Sequence, residues 1–164
     1  MESYWITDTK GYENTKQLFD FLQQQIELLY KQTNGNVVAK NEFSRYAKYE
    51  QLQQTIDAFS SAVALAAEGK KAEKDATILY QNKRYEFYIT DKHNKYELAI
   101  FQYTCNDLFP IQLNVDSDIA REAELDLSYI VDNMMQFKSL FKQMIQTKKV
   151  IYIIDHLNKM IANE

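Results

Sequence analysis

Residues that interrupt regular structure are scarce in this sequence, which has three glycines and one proline among 164 residues. So few breakers predict long helices and strands joined by few tight turns. The single cysteine, Cys105, excludes an intrachain disulfide and is typical of a reducing compartment, here predicted to be the cytoplasm. A chain of this length buries about two-thirds of its unfolded surface without disulfides or metals, so we expect a single domain over residues 1–164.

The usual signals of several functional classes are also missing. The N-terminal stretch has no basic segment followed by an apolar core, so no secretory signal is predicted. No run approaches the roughly 18 apolar residues that a membrane-spanning helix needs, so no membrane association is expected. The three glycines belong to neither a dinucleotide-binding fingerprint nor a phosphate-binding loop. A net charge of −4 argues against broad attraction to a nucleic-acid backbone and leaves room only for a local basic patch.

Apolar residues in the N-terminal part of the chain have the spacing that is typical of helices. A first helix is predicted over residues 13–32, with the sequence TNGN at 33–36 ending it. A second helix is predicted over residues 41–68, with Asn41 as its N-cap. A charged linker follows at 69–75, and the residues before the first helix are expected to form an arm.

Beyond the linker the pattern changes to short segments rich in aromatic and β-branched residues. These segments predict an antiparallel meander of three or four strands over residues 76–115; they read TILYQ, RYEFYIT, YELAIFQYT and FPIQLNV. Helical spacing returns over residues 119–162, in a short helix and then two amphipathic runs. Asn133 with Gln136 has capping-box spacing, and Thr147 is the expected cap between the last two helices, unless these run on as one. The predicted fold is α+β, with two N-terminal helices, the meander, and C-terminal helices packed on one sheet face.

The aromatic-rich stretch from Lys83 to Thr104 is interpreted as a hairpin with a four-residue loop at 91–94. In that register Phe87 pairs with Leu98, and both belong to an apolar face covered by helices. The opposite face then presents the residues predicted to bind a partner, which are Arg84, Tyr88, Lys95, Phe101 and Tyr103. The alternative is that these aromatic rings form a second core beneath the N-terminal arm.

Other chemically active side chains have simpler interpretations. Asp116 and Asp118 could bind Mg²⁺, but an aspartate at a strand-to-helix turn more commonly caps the helix. Cys105 is predicted at a strand end, and one cysteine with His93 and His156 is a poor supply for a zinc or nucleophilic site. No metal or cofactor is therefore expected. The C-terminal helices could lie on a membrane surface, but the sheet needs them as cover.

These observations favour a small acidic binding protein over an enzyme. No catalytic constellation is apparent, tyrosine and arginine are enriched at interface hot spots, and an acidic protein suits a basic target. We expect an inhibitor, an immunity protein or an adaptor that occludes or bridges a protein partner, with homodimerisation as a further option. Two alternatives stay open: binding of single-stranded nucleic acid by the aromatic and basic sheet face, and metal-dependent hydrolysis by Asp116, Asp118 and a histidine.

Overall fold

The computed structural model describes residues 14–44 and 83–164 of the chain. These residues form an α+β fold with four helices and one antiparallel sheet of five strands. The helices are Lys16–Gln32 (α1), Ser117–Ala123 (α2), Met134–Ile145 (α3) and Lys148–Ala162 (α4). The strands are Val37–Phe43 (β1), Lys83–Asp91 (β2), Glu97–Cys105 (β3), Ile111–Val115 (β4) and Ser128–Val131 (β5). The predicted α+β class is confirmed.

The strands lie side by side in the order β1-β2-β3-β4-β5. One sheet face, called the inner face, is covered by α1, α3 and α4. Phe19 of α1 packs edge-on against Tyr85 of β2, and Phe141 of α3 packs edge-on against Phe87. Helix α4 packs against β1 and β2, while α2 contacts the two helices that follow it. The C-terminal helices thus pack on one face of the sheet, as the amphipathic pattern predicts.

Helix α1 ends at Gln32, the residue that the sequence predicts. The hydroxyl of Thr33 donates to the carbonyl oxygen of Leu29 at 2.9 Å, which satisfies one of the last carbonyl groups of the helix. Gly35 has φ = +77°, a left-handed conformation that glycine adopts readily. A Cβ atom at this position would lie 2.9 Å from the ring of Tyr30. The glycine therefore allows the tight reversal that leads the chain into β1.

The register of the β2–β3 hairpin differs from the predicted register. Ile89 pairs with Leu98, a shift of two positions, and the turn between the strands is correspondingly longer. A bulge then interrupts the ladder, and beyond it Phe87 pairs with Phe101. Because a bulge adds one residue to one strand, it reverses which residues of that strand face inward. The predicted outward orientation of Phe101 and Tyr103 is therefore wrong.

The predicted start of a second N-terminal helix is also wrong. Asn41, the expected N-cap, lies within β1 and pairs with Phe87 of β2. Val37 and Ala39 of β1 are buried at alternate positions, which is the period of a strand. Among the described residues, one helix rather than two precedes the sheet. The rest of the predicted helix, the linker, the segment TILYQ and the N-terminal arm lie outside the described residues.

Strand β5, like β1, is absent from the sequence-based prediction, and with these two the described sheet has five strands rather than the predicted three or four. Strand β5 pairs antiparallel with β4, where Ile111 lies opposite Val131 and Leu113 opposite Tyr129. A four-residue strand offers too few positions for a clear alternation of apolar and polar residues. Its pairing with β4 therefore depends on tertiary contacts that a local pattern does not reveal.

The predicted caps of the C-terminal helices are confirmed. Asn133 Oδ1 accepts a hydrogen bond from the Gln136 backbone N–H at 2.9 Å, and Gln136 Oε1 accepts one from the Asp132 backbone N–H at 2.9 Å. Thr147 lies between α3 and α4, and its Oγ1 accepts a hydrogen bond from the Val150 backbone N–H at 3.4 Å. These caps satisfy N–H groups that have no partner within the helix. The tail is therefore two helices rather than one.

Candidate functional site

Two of the five residues predicted to bind a partner lie in the hydrophobic core. Phe101 is 1% exposed and Tyr103 is 0% exposed. The Phe101 ring stacks on Phe87 with 5.1 Å between ring centres, and Tyr103 stacks on Tyr85 at 5.3 Å. Burial raises the pKa of the Tyr103 hydroxyl far above its ordinary value, and this hydroxyl donates to Asn41 Oδ1 at 2.9 Å. Both rings join the strands to the covering helices.

The other three residues lie elsewhere on the hairpin. Arg84 and Tyr88 share the outer face of β2, and the Tyr88 ring is buried. The Tyr88 hydroxyl donates to Glu42 Oε2 at 3.0 Å, and Lys40 Nζ lies 6.0 Å from the ring centre. Lys95 is exposed in the turn that follows β2. The structure therefore brings Arg84 and Tyr88 to one face, but it does not bring all five residues together.

The aspartates that could have bound a metal form a cap and an ion-pair cluster. Asp116 Oδ1 accepts hydrogen bonds from the backbone N–H groups of Asp118 and Ile119, so the predicted helix cap is confirmed. Lys149 Nζ lies 2.9 Å from Asp118 Oδ2 and 3.3 Å from Asp116 Oδ1. The hydrogen bond from Lys149 holds the pKa of Asp118 below its ordinary value. This cluster joins the start of α2 to the first turn of α4.

The histidines and the cysteine lie in separate surroundings. His93 Nε2 is 2.9 Å from Glu164 Oε2, and this contact lowers the pKa of Glu164. The His156 ring stacks on Tyr152 along the exposed side of α4, with 5.9 Å between ring centres. Cys105 is buried at the end of β3, and burial raises its pKa to about 11. In the part of the chain that the structure describes, no group of three His, Cys, Asp or Glu residues could hold a metal ion.

A buried carboxylate organises the turn after β2. Asp91 is 0% exposed. Its oxygens accept hydrogen bonds from three backbone N–H groups, those of His93 at 2.9 Å, Lys95 at 2.8 Å and Tyr96 at 2.8 Å. Burial by itself raises the pKa of Asp91, but the backbone donors outweigh burial and lower it below its ordinary value. Asp91 therefore has a structural role in the hairpin.

The first candidate binding surface is the outer side of strand β5. We call residues 126–132 the β5 edge. No other described strand pairs with the side of β5 that faces away from β4. The Asp126 backbone N–H donates to the Tyr129 hydroxyl at 2.7 Å, and the Asp132 backbone N–H donates to Gln136 Oε1 at 2.9 Å, so both ends are fixed. An edge of this kind presents backbone N–H and C=O groups on which another strand can pair.

Apolar and acidic side chains border the β5 edge. Leu127 and Ile130 are each 60% exposed. Ile130 lies beside a depression of about 210 Å³ on the outer sheet face, which Gln112 of β4 also lines. Residues 122–137 carry four carboxylates and no lysine, arginine or histidine. The edge therefore combines strand-pairing capacity, exposed apolar surface and negative charge.

The second candidate is an apolar cleft of about 260 Å³ between α1 and α4, which we call the α1–α4 cleft. Its floor consists of Ala39 from β1 with Phe87 and Ile89 from β2, all of them buried. Its walls are Gln25, Leu28, Leu29 and Gln32 of α1, Phe141 and Ile145 of α3, and Val150 and Ile154 of α4. Leu28 is 49% exposed, so the cleft reaches solvent at that side. None of the described residues that line it is charged.

Sequence reasoning missed both surfaces. The cleft depends on Ala39, a small residue at a central inward position of β1, and the sequence pattern predicted a helix from residue 41 and no strand here. One signal was present in α1, where Gln25, Leu28, Leu29 and Gln32 recur at the spacing of a single helix face. Leucine can be buried in a core, but glutamine needs hydrogen-bond partners or water. A helix face that carries both therefore indicates a region that solvent can reach.

Helix α1, with 17 residues, is the longest of the described helices. None of the helices in residues 14–44 and 83–164 is both long enough and apolar enough to cross a membrane. Comparison of the chain with protein-family models, with curated proteins and with solved structures finds no match.

Proposed function

We propose that this chain is a protein-binding protein, of the inhibitor, immunity or adaptor kind, that holds an extended basic segment of its partner against the β5 edge. The proposal is carried by one observation: a short strand at the limit of the described sheet combines exposed apolar side chains with flanking carboxylates. Backbone pairing, apolar contact and charge each contribute a different part of recognition.

Backbone pairing supplies the geometry of the proposed complex. An extended peptide that adds to a sheet edge gains affinity from main-chain hydrogen bonds and specificity from alternate side chains. The ends of β5 are already fixed through Tyr129 and Gln136. Because the strand is ordered before the partner arrives, association loses less conformational entropy than it would at a flexible loop.

Apolar contact supplies an anchor. A partner strand beside β5 would place every second side chain on the outer face, next to Ile130. The depression of about 210 Å³ lies on the β4 side of Ile130, so a long apolar side chain of the partner that extends across Ile130 can enter it. Well-packed anchors in such pockets dominate the binding energy of many interfaces. The partner segment is therefore expected to carry an apolar residue between its basic ones.

Charge supplies the preference for a basic partner. Asp126 and Asp132 flank the strand and are exposed, and the whole chain has a net charge of −4. Complementary charges raise association rates and disfavour acidic competitors. Salt screens exposed charges over a length of about 8–10 Å, so the association rate should fall as ionic strength rises.

The other functional hypotheses receive less support from the structure. Nucleic-acid stacking on the sheet requires the rings of Phe101 and Tyr103, which are buried. Hydrolysis requires Asp116 and Asp118, which bond to Lys149 and to the start of α2. We therefore propose no enzymatic role. We propose the cytoplasm as the place of action because the only cysteine suits a reducing compartment.

The partner can be identified by site-specific crosslinking. A photoreactive phenylalanine analogue replaces Ile130, and in a control protein it replaces Tyr152 on α4, whose exposure is similar at 65%. Each protein is irradiated in its native cells, and the crosslinked partner is identified by mass spectrometry. The proposal expects a protein with a basic surface that is captured from position 130 and not from position 152.

Binding of the purified partner is then measured by calorimetry and stopped-flow fluorescence. Ile130→Lys should weaken affinity by about tenfold or more, since 1.4 kcal/mol corresponds to a factor of ten. The double variant Asp126→Asn/Asp132→Asn should lower mainly the association rate and its salt dependence. Wild-type affinity in both variants would refute the proposal, and so would capture of a second copy of this chain at position 130.

A further inference from the structure

We propose that the α1–α4 cleft binds a neutral, mostly apolar small molecule of about ten non-hydrogen atoms. The cleft lies over β1 and β2, whereas the β5 edge lies at the opposite end of the strand order. The inference therefore adds a ligand site to the proposed protein-binding function and does not depend on it.

The volume of the cleft limits the size of the ligand. An apolar cavity of about 150 Å³ binds benzene, which has six carbon atoms and so occupies about 25 Å³ of cavity per atom. The α1–α4 cleft has a volume of about 260 Å³. At the same filling it accommodates roughly ten non-hydrogen atoms, the size of a bicyclic aromatic molecule or a medium-length alkyl chain.

The lining determines the chemical class of the ligand. Nine of the described lining residues are apolar, and the other two are the glutamines Gln25 and Gln32. An ionised group inside such a site would lose hydration, and none of the described lining residues carries an opposite charge, which disfavours charged ligands. A side-chain amide can both donate and accept hydrogen bonds. The cleft therefore suits an apolar body with one hydroxyl or N–H group directed toward the glutamines of α1.

The floor of the cleft indicates that the space is retained despite its cost. Apolar surface that stays open to solvent in a cleft contributes less stability than apolar surface that is buried. Ala39 lies in a strand interior, where β-branched residues are favoured and alanine is not. An isoleucine at this position would fill part of the cleft and has a higher strand propensity, yet the chain has alanine. A ligand that occupies the space accounts for the small residue.

Binding can be tested on the full chain with three probes of similar size: indole, octan-1-ol and octanoate. Titrations are followed by calorimetry and by amide shifts in ¹⁵N-labelled protein. Indole or octan-1-ol should bind saturably and shift the amides of Leu29, Ala39 and Val150. Octanoate should bind about tenfold more weakly or worse, because none of the described lining residues offers its carboxylate a positive charge. Failure of both neutral probes to saturate, or equal binding of octanoate, would overturn the inference.

Two variants that fill the cleft from opposite sides locate the site. Ala39→Ile fills the floor and Ile154→Trp fills the wall, and each should weaken the neutral probe about tenfold or more. Ala39→Ile should also leave the urea midpoint unchanged or higher. The matched control is Val38→Ile, which adds bulk to the next residue of β1 on the other sheet face and should leave probe binding unchanged. Wild-type probe affinity in a folded filling variant would overturn the inference. Ile130→Lys should not alter probe binding, so the two proposals fail separately.

Discussion

Replacement of Tyr103 by alanine should destabilise the protein by about 3–5 kcal/mol, the range measured when large aromatic core residues are truncated. Tyr103 is 0% exposed, stacks on Tyr85 and contacts Phe101 at 5.9 Å between ring centres. Its hydroxyl also donates to Asn41. The substitution would remove the ring contacts and leave a cavity between β3 and α1. The free energy of unfolding of a domain is typically about 5–15 kcal/mol, so this loss is about one fifth of it or more.

Urea denaturation followed by circular dichroism measures this loss. Tyr103→Phe separates the hydroxyl from the ring, and it should cost only about 0.5–1.5 kcal/mol, the net value of one hydrogen bond. The control Tyr96→Ala removes a tyrosine that is 55% exposed, and such a surface change should cost about 0.5 kcal/mol or less. If Tyr103→Ala cost no more than Tyr96→Ala, Tyr103 would belong to the surface and the bulged register would be incorrect.

Three further predictions concern single groups. Asp91→Asn should make the urea midpoint depend less on pH at the acidic end of a series from pH 2 to 7. The fold lowers the pKa of Asp91, so its carboxylate stabilises the protein fully above the pKa of about 3.9 that it has in the unfolded chain. This stabilisation is lost as the pH falls through the pKa of Asp91 in the folded protein. If the variant and the wild type had the same pH profile, the role assigned to Asp91 would be contradicted. Thr147→Ala should cost about 1 kcal/mol through loss of the α4 cap, whereas Thr147→Ser should restore most of it. Cys105 should react slowly with a disulfide reagent at neutral pH and much faster in urea, because burial raises its pKa to about 11; equal rates in both conditions would show that the thiol is exposed.

Local patterns predicted the elements with long or strongly marked signals. Helix α1 and its end at Gln32 follow from apolar spacing and from a turn that contains Gly35. The caps at Asn133 and Thr147 follow from side chains that accept hydrogen bonds from helix N–H groups. These features depend on neighbours within a few residues, and such neighbours are visible in the sequence.

The hairpin register was not predictable in the same way. Ile100 occupies the extra position of the bulge in β3, so both Ile100 and Phe101 are buried although they are adjacent. A strict alternation rule assigns adjacent residues to opposite faces and so directs Phe101 outward. What favours the bulge is the stacking of Phe87 on Phe101 and the cover supplied by Phe137 of α3. These contacts join distant parts of the chain, and the hairpin sequence alone does not contain them.

The separation of the two candidate sites follows from the same sheet order. The cleft floor lies on β1 and β2, and the partner surface lies on β5, three strands beyond β2. Strands are about 4.8 Å apart, so the two sites are separated by roughly 14 Å of packed sheet. Residues separated by more than about 7–10 Å without shared partners act additively. A ligand in the cleft should therefore change the affinity of the β5 edge for its partner only if the sheet transmits a conformational change. Equal partner affinity with and without indole would show that the sheet transmits none.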